Sequence, residues 1–99
     1  MLKHIVMWRL RATAERTQAE NAAEMKRALE ALRGRIPGLL AIEVGINAIP
    51  GGDASDVVLY SEFADRDALA AYQKHPEHER VAEFVKEVRV ERRVVDYET

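Results

Sequence analysis

Residues 2–10, LKHIVMWRL, put apolar side chains on both faces of an extended segment: Leu2, His4, Val6, Trp8 and Leu10 on one side, Lys3, Ile5, Met7 and Arg9 on the other. A short run rich in branched and aromatic residues reads as a strand. The period then changes. Ala22, Met25, Leu29, Leu32 and Ile36 recur at spacings of three and four and make one apolar helical stripe, while Glu15, Glu20, Lys26, Arg27, Glu30 and Arg33 lie mostly off it. Thr13 and Thr17 are two candidate N-caps. The helix is expected to end near Arg35, because Pro37 disfavours helical geometry at Ile36 and Gly38 permits a turn. LLAIEVGINAI (39–49) is a second strand, in which Gly45 marks a bulge or a close backbone approach. The turn-rich PGGDASD (50–56) leads to a third strand, VVLYSEF (57–63). It has Val57, Leu59, Ser61 and Phe63 on one side and Val58, Tyr60 and Glu62 on the other. Asp65 caps a short helix, RDALAAYQK (66–74), with Ala68, Leu69 and Tyr72 inside. Pro76 suits the first position of another helix, running to about Glu87, and VRVERRVVDYE (88–98) is the last strand.

The order is β-α-β-β-α-β, the split βαβ or ferredoxin-like arrangement of an α+β fold, with a four-stranded antiparallel sheet and its helices on one face. Ninety-nine residues make a single domain, 1–99. The helices cover only one side of the sheet, so Ile5, Met7, Val58 and Tyr60 are left on an open apolar face. The expected cover is the same face of a second copy, in a two-fold homodimer.

Composition narrows the function classes. Charged residues are 32% and apolar residues 47%, the profile of a globular protein, and the net charge of −2 gives no electrostatic reason to expect nucleic acid or an anionic membrane. With no cysteine, disulfides, thiolate catalysis and cysteine-based metal sites are excluded. No apolar run approaches membrane-spanning length. The absence of a leader-like segment before Leu2 leads to the expectation of a cytoplasmic protein.

The candidate chemistry lies in YQKHPEHERV (72–81). His78 precedes Val81 by three and Val85 by seven and so points along the buried side of its helix. Tyr72 lies on the inner side of the helix before, and His4 shares a strand face with Val6 and Trp8. If that face meets the helices, Tyr72, His78 and His4 converge at the sheet–helix seam. The first-turn position and partial burial both favour a neutral imidazole at His78, opposed by Glu77 and Glu79. Such a ring accepts a proton near neutrality, and Tyr72 can orient a substrate oxygen. Structural roles, as satisfied core groups, are the more common fate of each of these residues. His75 flanks the site. A three-histidine metal centre is set aside, because His75 precedes the helix and no carboxylate is clearly placed with the histidines. The charge run RVERR (89–93) reads as a solvated strand face or an edge guard.

Three segments together, KHIVMWRL, FADRDALAAYQKHPEHERV and VVDYE, resemble the stress-responsive dimeric α/β-barrel (Dabb) family over nearly the whole chain. The resemblance implies a ferredoxin-like protomer whose sheet faces that of a second copy to make a barrel. In a plant polyketide cyclase of that family, the tyrosine and second histidine of Y-x-x-H-P-x-H are the proposed catalytic pair of a cofactor-free aldol cyclisation. Those roles fall on Tyr72 and His78, with His4 beside the pocket. The same comparison puts Val6, Trp8, Met25, Leu29 and Leu59 in the pocket lining. Met25 and Leu29 stand where the cyclase has aromatic residues, and Trp8 is bulkier than its aliphatic counterpart, which implies a reshaped cavity. The leading expectation is a homodimer that binds a small apolar or aromatic molecule without a cofactor, with cyclase- or lyase-like chemistry as its enzymatic form. The alternatives are a non-enzymatic stress-associated dimer and, from related α/β-barrels, a cofactor-free monooxygenase or a haem-degrading protein.

Overall fold

A computed structural model describes residues 1–99 and has the elements β1 (Leu2–Leu10), α1 (Gln18–Glu30), β2 (Leu39–Ile46), β3 (Val57–Phe63), α2 (Arg66–Lys74), α3 (Pro76–Val88) and β4 (Arg89–Glu98). The strands form one antiparallel sheet in the order β2-β3-β1-β4. This is the expected ferredoxin-like topology, with the second helical segment divided in two at His75.

Local chemistry sets the boundaries. Thr17, not Thr13, caps α1: its side chain accepts from the Glu20 N–H, and the Glu20 carboxylate accepts in return from the Thr17 N–H, a reciprocal capping box. Regular α-helix stops at Glu30, earlier than the apolar stripe suggested. Residues 32–35 continue it with tighter bonds, Leu32 to Leu29, Arg33 to Glu30 and Arg35 to Leu32. Leu32 and Ile36 therefore stay buried beyond the helix proper. β2 ends at Ile46 instead of Ile49. The Asn47 N–H makes one last cross-chain bond, to the Asp56 carbonyl at 2.8 Å, and its side chain donates to the Ile49 carbonyl in a turn. At Gly45 it is the close approach that is realised. A Cβ there would stand 3.1 Å from a Val58 methyl, whereas the register of β2 shifts between Leu39 and Ala41.

Pairing of β1 with β3 and β4 assigns every side chain to a face. Leu2, Val6, Trp8 and Leu10 meet Val57, Leu59 and Phe63 on the helix side. With Ile42 and Val44 of β2 and Met25, Leu29, Leu69, Tyr72 and Val85 of the helices, they form one core. α1 packs on β1 and β2, and α2 on β1, β2 and β3, whereas α3 rests mainly on α1 and α2 instead of lying flat on the sheet. The seam between α3, β1 and β4 is thus the loosest part of the helix side. On the opposite face Met7, Val58, Val95 and Tyr97 are each at least 36% exposed, flanked by the half-buried Ile5 and Tyr60.

A candidate acid–base site at the sheet–helix seam

Under α3 lies a cavity of about 290 Å³ lined by His4, Val6, Trp8, Leu29, Leu59, Tyr72 and His78, together with Val81, Ala82, Val85, Lys86, Arg89 and Arg92. β1 supplies His4, Val6 and Trp8 from alternate positions, as its period of two requires. The α2–α3 junction brings Tyr72 and His78 together. His75 has extended backbone, its Nδ1 accepts from the Glu77 N–H as the N-cap of α3, and Pro76 follows it. That sharp turn sets the two rings side by side, with centroids 4.3 Å apart, and Tyr72 also packs on Phe63 at 4.9 Å.

The polar atoms of this pair are unusual. Tyr72 Oη and His78 Nδ1 are both buried and neither makes a hydrogen bond of ordinary geometry, although the His78 ring lies close enough to the Gln73 carbonyl to be influenced by it. Such groups are almost always satisfied in a folded protein. Burial pushes the Tyr72 hydroxyl well above the ordinary phenol range, so it is a donor and never a phenolate near neutrality. Burial also lowers the His78 pKa below 6.5, the neighbouring His4 and Arg92 acting in the same direction; the Gln73 carbonyl and Glu79 oppose without reversing it. His78 is therefore a neutral imidazole at pH 7. The Trp8 indole N–H is likewise buried and unpartnered at the cavity wall.

His4 differs. Its Nδ1 is held by the Asp96 carboxylate on β4, directly opposite in the strand register. A carboxylate at Nδ1 keeps a proton on that nitrogen and orients the ring, leaving Nε2 as the nitrogen turned away from Asp96. Asp96 was not singled out in the sequence. The β1–β4 register that joins it to His4 depends on long-range pairing, although VVDYE carries the residue in plain view.

The cavity thus brings together His4, Val6, Trp8, Leu29, Leu59, Tyr72 and His78. It leaves out Met25 and His75. Met25 is wholly buried in the core beneath α1, and the His75 ring is spent on capping α3. RVERR, read as a solvated strand face or an edge guard, does lie on an edge strand with Arg92 and Arg93 exposed, and Arg89 and Arg92 in addition line the cavity. Glu91 and Arg93 lie on the other face of β4 and pair with each other at 3.1 Å. No cluster of three or more histidine, cysteine or carboxylate side chains has metal-binding geometry. A larger, more open groove of about 410 Å³ lies between α1 and α3; its two acids are each paired, Glu24 with Arg27 and Glu77 with Arg80, Arg16 lies over the Phe84 ring, and no histidine or tyrosine lines it.

A four-stranded antiparallel sheet covered on one side by helices, with an aromatic and histidine-lined seam, is a ferredoxin-like α+β protomer. The chain belongs to the Dabb family: the model of the stress responsive A/B barrel domain matches residues 2–99. A dimeric protein of unknown function from Bacteroides fragilis superposes with a TM-score of 0.88 at 37% identity, covering 99% of this chain and 95% of that one. A dimeric ferredoxin-like protein of unknown function from Jannaschia gives 0.78 at 27% identity, covering 99% and 98%. A hydroxynitrile lyase from Passiflora edulis gives 0.79 at 16% identity, covering 97% and 90%, a likeness of fold alone. No curated protein matches the chain. No helix is long and apolar enough to cross a membrane.

Proposed function

We propose that this chain is a homodimeric small-molecule-binding protein whose seam cavity performs cofactor-independent acid–base chemistry of the cyclase or lyase kind. One observation carries this reading: Tyr72 and His78, with ring centroids 4.3 Å apart, line one cavity, and each has a buried polar atom, Oη and Nδ1, without a hydrogen bond of ordinary geometry. A bound molecule with a carbonyl or phenol oxygen satisfies both. The Tyr72 hydroxyl donates to that oxygen, and His78 takes a proton from the adjacent atom. His4, anchored by Asp96, presents a second imidazole whose Nε2 is free of protein partners and can hold the bound molecule, while the proton that His78 takes is returned from His78 itself. That a hydroxynitrile lyase shares the fold supports lyase chemistry as within reach of this scaffold.

The test is a thermal-shift screen of the purified protein against small aromatic and keto compounds, repeated for His78→Ala and Tyr72→Phe. A ligand-dependent rise in Tm that both substitutions erase, with the oligomer intact, supports the proposal. The packing of Tyr72 between Phe63 and His78 favours one rival, a non-enzymatic dimer in which the stack only pins the α2–α3 junction. It predicts that His78→Ala lowers stability by about 1–3 kcal/mol, as for a lost buried polar group, with no ligand effect to lose.

The dimer half of the proposal rests on the open face, where Ile5, Met7, Val58, Tyr60, Val95 and Tyr97 form a contiguous apolar patch across three strands, and on the dimeric state of similar proteins. Burying that patch against its own copy removes it from water. Sedimentation should give a dimer at micromolar concentration, and Met7→Lys should give a folded monomer. A parent protein that sediments as a stable monomer overturns this half.

A further inference from the structure

The reading of the seam as a binding cavity leaves its mouth unexplained. Three cations stand there: Lys86 in the last turn of α3, Arg89 at the junction of α3 with β4, and Arg92 on β4 opposite Trp8. No carboxylate belongs to the lining, and none of the three makes an ion pair. This concentration does not reflect a basic protein, because the chain as a whole carries −2. Nor does dimerisation through the open face consume it. In the strand register Arg92 shares its side with His4 and Trp8, opposite to Met7 and Val95. Deeper in, the walls are apolar, formed by Val6, Leu29, Leu59, Val81 and Val85.

We infer that the cavity selects a small amphipathic acid, an aromatic or short aliphatic body seated against the apolar walls with its carboxylate held at the mouth by Lys86, Arg89 and Arg92. Guanidinium groups match a carboxylate with two parallel N–H···O bonds, and a lysine adds a mobile point charge. Three like charges with no counter-ion repel one another, and an anionic group relieves that repulsion while its apolar body displaces water from the interior. At about 290 Å³ the space is small by the standards of ligand pockets, roughly 300–1,000 Å³, and so favours a single ring or a short chain. The arrangement also sets polarity: the acid end faces out, and the opposite end of the ligand reaches Tyr72 and His78.

This inference rests on the cavity reading, and one titration separates the two. Trp8 is the sole tryptophan and part of the wall, so its fluorescence reports occupancy. Benzoate, phenylacetate and hexanoate are titrated against their neutral amides, which keep shape and lose charge. The acids should quench saturably and bind about tenfold more tightly than the amides, a preference that fades towards about 0.5 M salt. Arg92→Gln and Lys86→Gln should each weaken the acids about threefold to tenfold and leave the amides unchanged. Arg92→Glu should abolish the preference. Melting curves verify that each variant is folded. Since Lys86 and Arg92 are exposed, their replacement spares the core. Acids and amides binding equally, or acid affinity indifferent to the substitutions, overturns the anionic-ligand inference and leaves the cavity reading standing. Quenching by no member of either series overturns both.

Discussion

β2 and β4 are the two edges of the same sheet, and they are finished in opposite ways. On β2 the helix-side residues Ile42 and Val44 are 3% and 1% exposed, sealed beneath α1. The outer backbone of β2 is sealed too. Arg33 donates to the Ile42 carbonyl, Lys26 donates to the Val44 carbonyl at 2.5 Å, and the Glu30 carboxylate accepts from the Val44 N–H at 3.0 Å. Three side chains of one helical segment, at spacings of four and three, thus satisfy the groups that make an edge prone to pair with another chain. On β4 the equivalent positions are Arg92, Val94 and Asp96, all exposed, with Val94 at 48%. No helix lies over them. The helices sit off-centre, and that offset is what opens the seam beside β1. One edge carries stability and the other is free for recognition.

The largest effect that can break this comparison is at the sealed edge. Ile42→Ala should destabilise the fold by about 2–5 kcal/mol, the cost of a cavity in a closed core, whereas Val94→Ala should fall within about 0.5 kcal/mol, as for an exposed site. Denaturant unfolding of the two variants measures both, and equal costs would end the idea that the edges differ. Glu30→Gln comes next. Its carboxylate is held below its usual range by the Val44 N–H first and by Lys26 second. The depressed value means that the stabilisation is present above pH 4.5, the ordinary value, and is lost as pH falls through the folded-state value. The substitution should cost about 1 kcal/mol at pH 7, less than a fully buried charged hydrogen bond because a quarter of the side chain is exposed. It should also flatten the stability curve below pH 4.5.

The sealed edge was largely legible in the sequence, and the open one was not. Ala22, Met25, Leu29, Leu32 and Ile36 announce a helix with one buried stripe, and alternation in VVLYSEF assigns its faces, because both signals are local and periodic. The convergence of His4, Tyr72 and His78 followed from combining three such faces. What escaped was anything set by register between distant segments. Asp96 reaches His4 across 92 positions of sequence. Arg89 and Arg92 turn towards the cavity only because β4 lies beside β1 with no helix above it. A charge run has no periodicity that says which of its members face a site. Met25 was assigned to the pocket by resemblance and lies instead in the core, since the stripe of α1 is fully used in covering β1 and β2.

The smallest effect belongs to the open edge and concerns pH. His78 is desolvated beneath α3 and stands near His4 and Arg92, both of which oppose its protonation, while Gln73 and Glu79 favour it. Its folded-state pKa lies below 6.5, so as pH falls through 6.5 the unfolded chain takes up a proton that the folded chain resists. Stability therefore declines on the acid side, beginning about two units above the window of Glu30, as the ordinary values of 6.5 and 4.5 require. The two edges are thus separable in a single pH series of melting temperatures. His78→Gln should remove the slope that starts near 6.5 and leave the Glu30 slope intact, and Glu30→Gln should do the reverse. An unchanged slope in His78→Gln would show that the ring is already open to water, in which case the seam is not the desolvated chamber that its unpartnered atoms describe.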